Sequence, residues 1–197
     1  MYRTKFSKDF FKTIVNYFWF NLFIFMLAIF ISFLFYKTHP QYTTLKVTDL
    51  ALKVKESDNT NIIFNIIQIF LYNLLTCIIC ILSGLIPFIF LPILTNILNA
   101  SSIGMFIAFF NANDCNTFKI ITTQLLPHGI IEISIILYSI SIGVFLCKNI
   151  TFRILTKKKF NKKDYIKNIS FSFYFIIIPL LFLASLIEIL ISPLLMN

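Results

Sequence analysis

The chain has 197 residues, 58% of them hydrophobic and 13% charged, with a mean hydropathy of +0.88. A soluble domain of this size carries about 25% charged residues, so the composition excludes an ordinary water-facing surface and describes a membrane protein. The net charge of +9 sits at the ends of apolar segments and reports topology; nucleic-acid binding is not expected, because there is no soluble domain to present a basic groove.

Arg3, Lys5, Lys8 and Lys12 precede a first apolar segment, 17–36. It lacks a small-x-small cleavage site and is expected to stay as a membrane-anchoring helix. Asn21 is its single polar interior residue, which places this span at the edge of a bundle, with Trp19 near the inner interface. The outer loop 37–61 mixes Lys46, Lys53 and Lys55 with Asp49, Glu56 and Asp58, and a short surface helix is expected around Leu45, Leu50 and Val54.

Between Asp58 and Asp114 there is no Asp, Glu, Lys, Arg or His. That leaves room for two spans of about 20 residues each, read as 62–83 and 85–110. Ser83-Gly84 would turn the chain between them, although Pro87 and Pro92 offer the alternative of one bent helix. Asn65, Gln68, Tyr72, Asn73 and Thr76, and then Thr95, Asn96, Asn99 and Ser102, give these spans polar stripes expected to face protein. The stripes fit either inter-helix hydrogen bonds of about 0.6–2 kcal/mol or a substrate path.

The fourth span, 128–147, is followed by a basic inner loop, 148–169, and a fifth span, 170–191. The loop carries Lys148, Arg153, Lys157, Lys158, Lys159, Lys162, Lys163 and Lys167 against one acid, Asp164. It reads as an interfacial stretch that meets anionic lipids or sets topology. Long Ile, Phe and Leu runs without polar alternation favour helices over a barrel. The expectation is an all-α integral membrane helical bundle: one membrane domain, 1–197, with five transmembrane helices in the cytoplasmic membrane. Twelve of the 17 basic residues fall inside when the N-terminus is cytoplasmic and the C-terminus extracytoplasmic. Cys77, Cys80, Cys115 and Cys147 lie mostly in apolar sequence and are read as packing residues. Cys77-Ile-Ile-Cys80 is too hydrophobic for a redox or zinc motif.

The segment Leu126-Pro127-His128-Gly129-Ile130-Ile131-Glu132 places an imidazole and a carboxylate on one helical face at the mouth of span four. Intramembrane ionisable groups are expensive and mark function unless they pair structurally. Pro127 suits a first helical position, and Glu132 lies about 6 Å deeper than His128 at a rise of about 1.5 Å per residue. On span five, Glu188 falls at a comparable depth. His128, Glu132 and Glu188 are therefore the candidate functional cluster, serving a proton-linked site, a metal site, a polar pocket for a partner, or a structural pair. A hydrolase using His128 and Glu132 would need Ser134 or Ser139 as nucleophile, or a third metal ligand, and the spacing supports neither. No catalytic residue, metal ligand or cofactor is assigned.

Pro127, His128, Gly129 and Glu132 form a Pro-His-Gly-x-x-Glu pattern, preceded by Asn73 and Gly84 and then by Asn99 and Gly104. In these residues the chain resembles the stage II sporulation protein M (SpoIIM) family of multi-pass membrane proteins. It departs from the usual pattern at Tyr72-Asn73 and Asn99-Ala100. The resemblance implies a non-catalytic subunit or scaffold of a membrane complex, with membrane or cell-envelope proteins as partners, as in sporulation members that hold peptidoglycan-remodelling proteins. A second implication is a component for maturation, export or immunity of a circular bacteriocin or other hydrophobic peptide.

Overall fold

The computed structural model describes residues 8–57, 62–113, 116–120, 122, 126–157 and 162–190. Its elements are α1 (Lys8–Thr38), α2 (Pro40–Ser57), α3 (Ile62–Ser83), α4 (Leu91–Ala112), α5 (Thr117–Ile120), α6 (Leu126–Thr156), α7 (Lys162–Ser172), a π-helical turn (Phe173–Ile177) and α8 (Ile178–Leu190). Among the described residues there is no strand, and five helical stretches are long and apolar enough to cross a membrane. The protein is an all-helical membrane bundle.

The spans are not equivalent. Within its apolar window α6 is 67% buried, against 17–28% for the other four. A helix that is apolar all round belongs inside, and α6 is that helix: α1 and α4 pack on one side of it, α3 and α8 on the other. Helix α1 antiparallels α6, from Phe10 beside Phe145 (ring centroids 5.4 Å apart) to Asn21 bonded to Ser141. Helices α1 and α4 run parallel and make the most extensive interface of the fold.

Lipid tails are as apolar as Leu, so helices here associate through close packing rather than by escaping water. Along α4 the buried ridge is Pro92, Asn96, Ala100, Gly104 and Ala108, a strict four-residue repeat of mostly small side chains. A Cβ on Gly104 would come within 2.6 Å of the Ile29 carbonyl oxygen of α1. The tightest approach is between Gly84, at the end of α3, and Gly143 of α6: a Cβ on Gly84 would come within 2.6 Å of Gly143 Cα. A Cβ on Gly143 would strike the Cys80 carbonyl oxygen and come within 2.8 Å of Pro92 Cγ.

Several boundaries differ from the sequence reading. The third span starts at Leu91, not at 85, because Phe88 (φ 69°) and Phe90 (φ 50°) are left-handed and Pro92 occupies the first turn of α4. The intervening turn is tied to α6, with Phe88 N donating to Thr151 Oγ1 at 2.9 Å and Cys147 Sγ donating to Ile86 O at 3.3 Å. Helix α2 is longer than the expected surface helix, and its buried face is Thr43 and Val47, whereas Leu45 is 70% exposed. The side chains of Leu50 and Val54 lie outside the described residues. Much of the stretch read as a basic loop is helical: α6 runs on to Thr156, a left-handed Lys157 ends it, and α7 begins at Lys162. The π-helical turn lies just before Pro179, whose ring would clash with the carbonyl four residues earlier in a regular α-helix. Cys77, Cys80 and Cys147 are buried free thiols, as expected of packing residues; Cys115 lies outside the described residues.

Replacing Gly143 by Ala is expected to lower unfolding stability in detergent by about 1–3 kcal/mol, the usual cost of overpacking. Leu82→Ala, at a 54% exposed position, should leave the same denaturation curve nearly unchanged.

Candidate functional site

At the heart of the bundle three helices share a polar hub. Asn21 of α1, Asn96 of α4 and Ser141 of α6 are all fully buried. Asn96 Nδ2 donates to the Asn21 backbone carbonyl at 2.9 Å, and Asn21 Nδ2 donates to Ser141 Oγ at 3.1 Å and to the Tyr17 carbonyl at 2.9 Å. Ser141 Oγ donates in turn to the Leu137 carbonyl at 2.7 Å. Helix α1 lies at the edge of the bundle, its apolar window 17% buried, yet Asn21 faces inward. Helix α1 shows lipid one face and inserts its only interior amide between α4 and α6. Asn21 Oδ1 and Asn96 Oδ1 have no hydrogen-bond partner among the described residues, so the hub keeps two unspent acceptors where buried polar groups are normally satisfied.

One helical turn from this hub lies a cavity of about 160 Å³ lined by Phe25, Asn99, Ile103, Glu132, Ile133, Ile136 and Leu137. The spacing explains the placement. Phe25 follows Asn21 by four residues, Asn99 follows Asn96 by three and Leu137 precedes Ser141 by four, so all three reach the same level. Glu132 supplies the carboxylate. The Asn73 side chain of α3 and the Glu188 carboxylate of α8 lie near enough to influence it. The cavity itself lies between α1, α4 and α6.

This brings together part of what the sequence singled out. Glu132 and Asn99 line one cavity, and Asn73 and Glu188 lie near the carboxylate. Pro127 and His128 lie in the first turn of α6, and their side chains fall outside the described residues. Gly129 is buried; Gly84 abuts Gly143 and Gly104 abuts α1, so these two glycines act as packing surfaces. The polar stripes are not continuous. Tyr72 is 63% exposed, and Ser102 is exposed with its hydroxyl returned to the Leu98 carbonyl. Ser134 also faces outward, while Ser139 is enclosed beside the Cys77 thiol. Among the described residues, no three His, Cys, Asp or Glu side chains gather in a metal-binding arrangement.

Ser141 and Gly143 were not singled out in the sequence, nor was the bond between Asn21 and Asn96. A signal was present: Ser139-x-x-x-Gly143 and Ala100-x-x-x-Gly104 are small-x-x-x-small spacings typical of tight helix pairs in membranes.

Four apolar spans around a buried fifth, with a carboxylate lining an internal cavity, define a polytopic helical membrane protein with an internal polar centre. The sequence model described as stage II sporulation protein M matches residues 21–193. The chain belongs to that family. No curated protein and no solved structure matches it.

A double-mutant cycle of Asn21→Ala and Ser141→Ala, read by unfolding in detergent, should give a coupling of about 0.6–2 kcal/mol, the range of hydrogen bonds between membrane helices. A cycle pairing Asn21→Ala with Ser102→Ala should give none, because Ser102 is turned away from the hub.

Proposed function

We propose that this chain is a non-catalytic subunit of a complex in the cytoplasmic membrane. Its N-terminus is cytoplasmic, and the centre at Glu132 couples its helices to partner proteins. The carrying observation is the Glu132 cavity: a carboxylate beside Asn99, between α1, α4 and α6 and near Asn73 and Glu188, in a space of about 160 Å³. Sites for drug-sized ligands measure about 300–1,000 Å³, so this one suits a proton or a small polar group rather than a peptide. Changing the state of such a group alters the packing of every helix that touches it, which is how a local event becomes a change of surface. The surfaces available to partners are the outward faces of α1, α3 and the π-helical turn before α8, where Phe23, Ile63 and Phe175 are each more than two-thirds exposed.

The family context supports a partner-holding role, with membrane or cell-envelope proteins as the partners. A peptide path along α3 and α4 would need their polar residues to line one lumen, and Tyr72 and Ser102 point away from the bundle. The hydrolase reading would need a serine beside the carboxylate, and neither Ser134 nor Ser139 lines the Glu132 cavity.

Glu132→Gln keeps the shape and much of the hydrogen bonding. It should insert and unfold like the parent, yet lose most co-purification of partner membrane proteins after crosslinking in cells. Ser134→Ala, at an exposed position outside the cavity, should retain them. Unchanged partner recovery in Glu132→Gln would sink the proposal. Loss of peptide release or immunity in Asn73→Ala and Asn99→Ala, with the complex intact, would favour the peptide component instead.

A further inference from the structure

At the end of the bundle where α6 runs out to Thr156, a second and larger cavity of about 610 Å³ opens between α3, α6 and α7. Leu82, Leu146, Ile150, Ile166 and Ile169 form its apolar walls, and Arg153 is the one charged residue among the described residues that line it. From Leu146 to Ile154 the groove follows α6 for about 12 Å, most of the ~15 Å half-thickness of a bilayer core. Its volume lies within the ~300–1,000 Å³ range of ligand sites. The groove exists because α7 touches α6 chiefly through Tyr165, which packs on Phe145 (centroids 5.6 Å) and donates to Asn149 Oδ1 at 3.4 Å. The same Tyr165 oxygen accepts from Arg153 Nη2 at 3.3 Å, and the guanidinium lies 5.7 Å from the ring centroid.

We propose that this groove binds one anionic phospholipid, its acyl chain between Ile150 and Ile166 and its phosphate on Arg153. Charge complementarity selects this occupant. The apolar slot suits an acyl chain, and a guanidinium held by a tyrosine presents a planar fork matched to phosphate oxygens. Lys148 of the same helix and Lys157 just past its end put further positive charge at this end of the bundle, where an anionic headgroup is attracted and a zwitterionic one is not. This site is separate from the Glu132 centre and does not depend on the role proposed for it.

The test is native mass spectrometry of the full chain in detergent, titrated with dioleoyl phosphatidylglycerol and, separately, with dioleoyl phosphatidylcholine. The parent should bind the glycerol lipid about tenfold more tightly, the equivalent of one charge-assisted contact. Arg153→Gln should bring the two lipids to equal affinity. Ile166→Trp, a substitution at a 62% exposed groove wall, should weaken both lipids while leaving Arg153 in place, and it keeps the proposal testable if Arg153→Gln does not fold. Equal binding of the two lipids by the parent overturns the proposal. So does unchanged binding in Ile166→Trp. It also fails if Lys157→Gln with Lys167→Gln removes the preference and Arg153→Gln does not, since diffuse charge would then explain it.

Discussion

The contact of Gly84 with Gly143 sets the register on which the internal site depends. Neither residue has a side chain, so the end of α3 settles directly on the backbone of α6, and Pro92 brings the start of α4 to the same place. Because α3 and α6 run parallel, positions equally far from that contact come level with each other. Asn73 precedes Gly84 by eleven residues and Glu132 precedes Gly143 by eleven. Both are therefore carried about 16 Å along their helices to one height, where the amide lies near the carboxylate.

The hub of Asn21, Asn96 and Ser141 does the corresponding work for α1 and α4. Its hydrogen bonds are individually modest in a membrane, but they are directional, and the small-residue ridge of α4 leaves no room for α1 to slide. Packing supplies the closeness and the amides supply the register. The result is a bundle whose most polar residues lie innermost while its outer faces are nearly pure hydrocarbon, the arrangement that lipid as solvent requires.

The two cavities divide the molecule by chemistry. The one at Glu132 is small, lined by three spans and acidic; the one at Arg153 is four times larger, apolar and bounded by a basic residue. Both border α6, about six helical turns apart along it. The central helix thus carries an acidic centre near its beginning and a basic one near its end.

What the sequence determined by itself follows from quantities that are sums along the chain. Hydropathy over a window sets the number of spans, and the charge-free stretch between Asp58 and Asp114 requires two of them. The four residue types in Pro127, His128, Gly129 and Glu132, in their order, carry the family. The sequence also marked Glu132, Glu188, Asn73 and Asn99 one by one, since a polar residue in an apolar run is conspicuous. It did not show that they meet, or that Tyr72 and Ser102 turn away, because facing depends on which helix lies alongside. Only the tertiary structure decided that α6 is central, that Asn21 ties the edge helix α1 to α4 and α6, and that Gly143 sets the register. In a membrane every span is apolar, so hydrophobicity separates helix from loop but does not rank helices by depth in the bundle. That ranking comes from close contact between small residues on different helices.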